Sequence, residues 1–220
     1  MKLIDELQAD HALIEQVVGA LRTYVARRAG GDADPADGAR FLRFFRLFAG
    51  DYHHAREEQV LLAALVRELA LPADRGPIAE IVRQHDALAA TLSAAGALLL
   101  APRWSPQERD DALRLTNQYC DDLLRHIDAE TSVLFPESEA RLRRCGATGL
   151  ESRPPVDDEL RARAAGEALV VRYPPTENGA LMRGDGCVMC PAYGETCRGL
   201  EREWWTDAEW EDFEAGRGWD

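Results

Sequence analysis

A histidine followed four residues later by a glutamate occurs twice in this chain, 73 residues apart: His53 with Glu57, and His126 with Glu130. The correspondence continues beyond them, Val60 matching Val133 and Leu61 matching Leu134. At that spacing on an α-helix the two side chains share a face, about one turn apart. Imidazole and carboxylate placed that way make half of a metal site, and two copies point to a pair of metals between two helices. Two more histidines sit singly in helical apolar stripes: His11 among Leu7, Ile14, Val18 and Leu21, and His85 among Ile81, Val82, Leu88 and Leu92. A lone histidine in such a stripe is usually a hydrogen-bonded core residue. One from each of four helices, two of them with a carboxylate at i+4, reads instead as a ligand set: His11, His53, Glu57, His85, His126 and Glu130. Four imidazoles and two carboxylates suit iron, with the carboxylates able to bridge two ions; zinc and manganese fit the same donors. Six protein ligands leave positions open, where ferrous iron binds O2 or NO.

The adjacent His54 is turned about 100° around an α-helix from His53, which directs it away from the centre. His54/Glu58 also has i, i+4 spacing, but the alignment with the second copy selects His53/Glu57. Glu58 is then a carboxylate that either faces solvent or supports an imidazole. Glu15 and Asp122, each one turn from a candidate ligand, are read the same way, and Tyr119 as core packing.

The elements that must position these residues are helical. A first helix carries Leu3, Leu7, Leu13, Ile14, Val17, Val18, Leu21 and Val25 and stops at Gly30-Gly31. Asp34-Pro35 opens a long second helix, with a stripe through Phe41, Phe45, Phe48, Tyr52, Leu62 and Val66, ending before Pro72. Gly76-Pro77 opens a third, which stops before Pro102. Ser105-Pro106-Gln107-Glu108 is a capping box with Pro at the first helical position, and its helix runs to about Cys145, capped by Gly146. Counting residues from the connections brings His11 level with His53, and His85 level with His126. The middle hairpin fits less well, so either the second helix ends early, near Val66, or the connection climbs back along the bundle. The fold class is all-α: an up-down-up-down four-helix bundle over 1–146, followed by a small irregular Cys/Trp-rich C-terminal extension. Residues 147–183 read as a linker or wrapping segment, with Ala168–Tyr173 β-prone. Residues 184–220 read as a Cys-containing tail with a short helix opened by the capping box Thr206-Asp207-Ala208-Glu209, its tryptophans docked on the bundle.

The 220 residues suffice for one well-filled domain plus an extension, and the 46% hydrophobic content supplies its core. A formal charge of −13 argues against nucleic acid or an anionic membrane as partner. The opening has no apolar run long enough for a signal peptide and no segment is long enough to span a membrane, so a cytoplasmic location is expected.

The motifs "DH" at 10–11, "HHAREE" at 53–58, "QHD" at 84–86 and "HIDAETSVLFP" at 126–136 make residues 1–146 resemble the hemerythrin-like (HHE cation-binding) family. The resemblance implies a four-helix bundle around a non-haem di-iron centre, with His11, His53, Glu57, His85, His126 and Glu130 as its ligands. Oxygen carriers of that family have a second histidine one turn after the third-helix ligand, where this chain has Ala89. They also place a carboxylate five residues after the last histidine, where Glu130 stands at four. The resemblance is thus closer to the four-His/two-Glu branches used in iron-sulfur repair and sensing.

Five cysteines, an odd number, argue against a disulfide framework. Cys187, Cys190 and Cys197 form a Cys-x-x-Cys pair plus a third thiol: a second metal site for zinc, completed by Cys145 or Asp185, a redox-active dithiol, or inert thiols. The functional expectation is a di-iron protein binding O2 or NO in oxidative or nitrosative stress, as sensor, scavenger or agent of iron-sulfur repair. Two other classes remain: a di-iron enzyme of peroxidase or NO reductase type, and a structural or partner-binding bundle.

Overall fold

In a computed structural model, the described residues are 1–176 together with Thr206, Ala208 and Glu211. Four antiparallel helical rods follow in sequence. The first rod is α1 (Lys2–Ala29), stopped at Gly30 and Gly31, the latter in the left-handed region that only glycine enters cheaply. The second begins with α2 (Asp37–Arg43) and changes its winding: π1 (Phe44–His54) and π2 (Glu57–Leu62) are π-helical before α3 (Ala63–Leu69) closes it. The third rod is α4 (Gly76–Leu100) and is α-helical throughout. The fourth runs α5 (Pro106–Ala129), π3 (Glu130–Leu134) and α6 (Phe135–Arg144). Its start is the expected capping box, with Ser105 Oγ accepting from the Glu108 N–H and Glu108 returning the bond to the Ser105 N–H.

The second rod does not end near Val66. It continues to Leu69, where Ala70 takes a left-handed conformation (φ 52°) and Leu71 N–H donates back to the Leu65 carbonyl. That six-residue closure turns the chain back beside its own last turn, and the buried Leu71 joins Leu61 and Leu65 in the core. The connection thus climbs back along the bundle.

The stretch from Ala168 to Tyr173, β-prone by composition, is the end of a fifth helix, α7 (Asp157–Arg172), which starts inside the segment expected to be a linker. Three acidic residues in its first turn favour a helix N-terminus, and Glu159 reaches back to the Val156 N–H (2.7 Å). Its buried residues Ala162, Gly166, Leu169 and Tyr173 recur every three or four positions, so packing on the bundle overrides the local preference for extended chain. Gly166 is required there, because a Cβ would collide with the Phe44 ring. Gly38 has the same role where the second rod crosses the Leu99 carbonyl.

Two apolar clusters fill the bundle. One gathers Ile14, Val17, Phe45, Phe48, Leu88 and Leu123 toward the Gly30 end; the other gathers Leu3, Leu7, Leu61, Ile81 and Leu134 toward the opposite end. Each candidate ligand lies in sequence between members of the two, so a polar layer divides the core. No helix among the described residues is long and apolar enough to cross a membrane. The tail thiols Cys187, Cys190 and Cys197, the tail tryptophans, and Asp207 and Glu209 of the second capping box lie outside the described residues. Of the two described cysteines, Cys120 is buried and Cys145 is exposed, with its thiol on the Leu142 carbonyl.

Candidate metal centre

The polar layer brings all six expected residues together, and His54 with them. Their donor atoms form two groups, each with every member within 4.8 Å of the others: His11, His53, Glu57 and Glu130 in one, His54, Glu57, His85 and His126 in the other. Directing His54 away from the centre was therefore an error. It rested on a 100° step per residue, which holds for an α-helix, whereas His53 and His54 end a π-helical stretch whose wider turn spaces consecutive side chains more closely. Glu57 is at i+4 from His53 and i+3 from His54, so it shares a face with both.

The two carboxylates face both groups. Glu57 Oε1 lies 3.2 Å from His53 Nε2 and 3.7 Å from His11 Nε2, while its Oε2 lies 3.5 Å from His85 Nε2. Glu130 Oε2 lies 3.3 Å from His11 Nε2 and 3.2 Å from His126 Nε2, and its Oε1 is 3.9 Å from His85 Nε2. Donors held about 2.1 Å from one cation stand roughly 3.0–3.5 Å apart, and four of these six distances fall in that range.

Four of the five rings are faced from behind at their other nitrogen. His85 Nδ1 meets Glu58 Oε1 at 2.7 Å, His126 Nδ1 meets Gln84 Oε1 at 2.9 Å, and His11 Nδ1 meets Thr131 Oγ1 at 2.9 Å. His53 Nδ1 faces Asp10 Oδ2 at 3.5 Å, and Asp10 is held in turn by Arg56 (3.0 Å), which also pairs with Glu6. Because Gln84 Nε2 donates to Glu80, its Oε1 is the atom left for His126. Carboxylate and amide oxygens accept, so His85 and His126 carry their protons on Nδ1 and turn Nε2 inward, the two Nε2 atoms only 3.1 Å apart. Sequence reasoning missed Asp10, Thr131 and Gln84, which belong to other helices or lie beside a ligand. It left Glu58 and Asp122 open between supporting an imidazole and facing solvent: Glu58 does the first, and Asp122 pairs with Arg125 on the surface. Tyr119 packs edge-on against Phe45 in the core.

The residues fit a cation. His11 Nε2, His53 Nε2 and both oxygens of Glu57 and Glu130 are buried without a hydrogen-bond partner, an arrangement costing about 1–3 kcal/mol per atom unless a ligand satisfies it. In the metal-free chain only protons are available to the cluster. Burial lowers His53 and His85, but Glu57 with Asp10, and Glu57 with Glu58, outweigh it and raise each to about 9. Burial and the His53 charge bring His11 down to about 3. Against burial, His53 and His85 hold Glu57 well below the usual carboxylate range, while burial and the Glu57 charge push Glu130 well above it. A cation entering such a cluster displaces protons.

Five imidazoles, not four, thus meet at this centre. Ala89 supplies none from the third rod, and the second rod contributes two. No curated protein and no solved structure matches the chain significantly. The family model of the hemerythrin HHE cation-binding domain matches residues 2–144, the four rods with every donor named above. That family implies a metal cofactor, and the matched span contains both groups of His and Glu donors that could hold one: the chain belongs to the hemerythrin HHE cation-binding domain family.

Proposed function

We propose that this chain is a non-haem di-iron protein that takes O2 or NO as its ligand, acting in the cytoplasm as a sensor or scavenger in oxidative and nitrosative stress or in iron-sulfur repair. The observation that carries this reading is the placement of Glu57 and Glu130, each facing both groups of imidazoles, so that one pair of carboxylates serves two cations. His11 and His53 would hold one iron and His85 and His126 the other. Iron in such a nitrogen and oxygen environment supplies one-electron redox chemistry and open positions for a diatomic ligand. The chain's own residues exclude bulk water, since Glu57 and Glu130 are fully buried, and Asp10, Glu58, Gln84 and Thr131 hold the rings in place.

Metal analysis with spectra of the reduced protein before and after NO tests the reading. Two irons per chain and a new absorption band with NO are expected. Purified protein without iron, with metal content unchanged by His53→Ala plus Glu57→Ala, would falsify it. Turnover of NO or peroxide at catalytic rates would move the assignment to the enzyme class.

A further inference from the structure

Four of the five imidazoles at the centre are faced from outside by Thr131, Asp10, Glu58 or Gln84. His54 differs in three respects. It is the one donor of the two groups that is not buried. Among the described residues, no hydrogen bond to either of its ring nitrogens accompanies its place in the cluster. It is held instead by stacking, its ring parallel to that of His85 (centroids 3.9 Å apart, 8° between planes) and edge-on to His126 at 5.4 Å.

We propose that His54 is a fifth metal donor, added to the His85/His126 half, and that it is the exchangeable one: its imidazole holds a coordination position at rest and leaves it to admit an incoming small ligand. This rests on reading the centre as a di-iron site. Physically, the five rings differ in what departure would cost. His85 and His126 would have to break an outer hydrogen bond and strand a buried polar partner, a loss on top of that of the inward bond. His54 gives up only the inward bond and a stacking contact, and as the half-buried residue of the set it can turn toward solvent, where water satisfies both nitrogens. The third rod offers no fixed substitute, because Ala89, one turn after His85, is a methyl group on the exposed side of α4.

A donor that occupies a position most of the time lowers the apparent affinity of any competing ligand by the fraction of time the position is free. The test uses the full chain loaded with ferric iron. Azide is titrated against wild type, His54→Ala, His54→Gln and His85→Ala, with iron per chain measured for each and circular dichroism as a control for folding. Both His54 variants are expected to retain clearly more iron than His85→Ala and to bind azide about tenfold more tightly than wild type. Unchanged or weaker azide affinity in the His54 variants overturns the proposal, and so does loss of iron matching that of His85→Ala, which would make His54 a fixed ligand. Wild-type protein without iron would instead overturn the di-iron reading itself.

Discussion

The first and third rods each give the centre one histidine, while the second gives two histidines and a glutamate and the fourth a histidine and a glutamate, and the two kinds of rod are wound differently. Along the third rod the buried positions Ile78, Ile81, His85, Leu88, Leu92, Ala95 and Leu99 advance by alternating threes and fours, as an α-helix requires. Along the second, Phe41, Phe45, Ala49, His53, Glu57, Leu61 and Leu65 are all buried at steps of four, and the fourth rod repeats this with His126, Glu130, Leu134, Ser138 and Leu142. In a helix of 3.6 residues per turn each step of four overshoots by about 40°, so six such steps would carry the stripe past half a circle. Turns closing from i to i+5 absorb the overshoot, and π2 and π3 each begin on a ligand, Glu57 and Glu130. A rod that supplies one donor needs no change of winding. A rod that aims two donors one turn apart at one centre, and continues its core stripe on the same face, does.

The largest test of this contrast is removal of a π-rod carboxylate. Glu57→Ala should abolish binding of both metals, while His11→Ala on the first rod should weaken mainly one; iron per chain after dialysis distinguishes them. Equal losses would break the comparison. Next is Asp10→Asn, which leaves every donor in place but weakens the support of His53. Metal affinity should fall by about 10–100-fold with helix content unchanged. Gly166→Val then asks whether α7 helps to hold the second rod in its winding. Displacing Phe44 from its seat should cost about 1–3 kcal/mol in denaturant melts and lower iron retention along with stability. The smallest effect is expected at the far end, where Tyr173 O–H donates to Asp37 at 2.7 Å. Burial and that bond raise the Tyr173 phenol from 10 to about 12, so the folded state favours its neutral form. The contribution is complete below pH 10 and lost as pH rises toward 12. Tyr173→Phe should cost about 1 kcal/mol at neutral pH and remove that part of the alkaline loss.

Much of this was legible in the sequence. The Gly30-Gly31 stop, the Ser105 capping box and the Gly146 end fall where turn and capping chemistry place them, because those signals act within a few residues. The six histidines and glutamates converge because each sits in an apolar stripe that must face the core. The period of four in the second and fourth rods was also present, but a reading set to 3.6 takes it for ordinary amphipathicity and turns His54 outward. The segment from Ala168 to Tyr173 misled for a related reason: its composition favours extended chain, while its buried residues fit the bundle only as a helix.

The sequence by itself determined the four rods, their ends except that of the second, and the donor types that must meet inside, since capping, turn residues and hydrophobic periodicity are local properties. Only the tertiary structure decided the winding of the second and fourth rods, the inclusion of His54, and the pairing of Asp10 with His53, Gln84 with His126 and Thr131 with His11. Those depend on which rods lie side by side, because a side chain's partner across a bundle is chosen by packing and not by its distance along the chain.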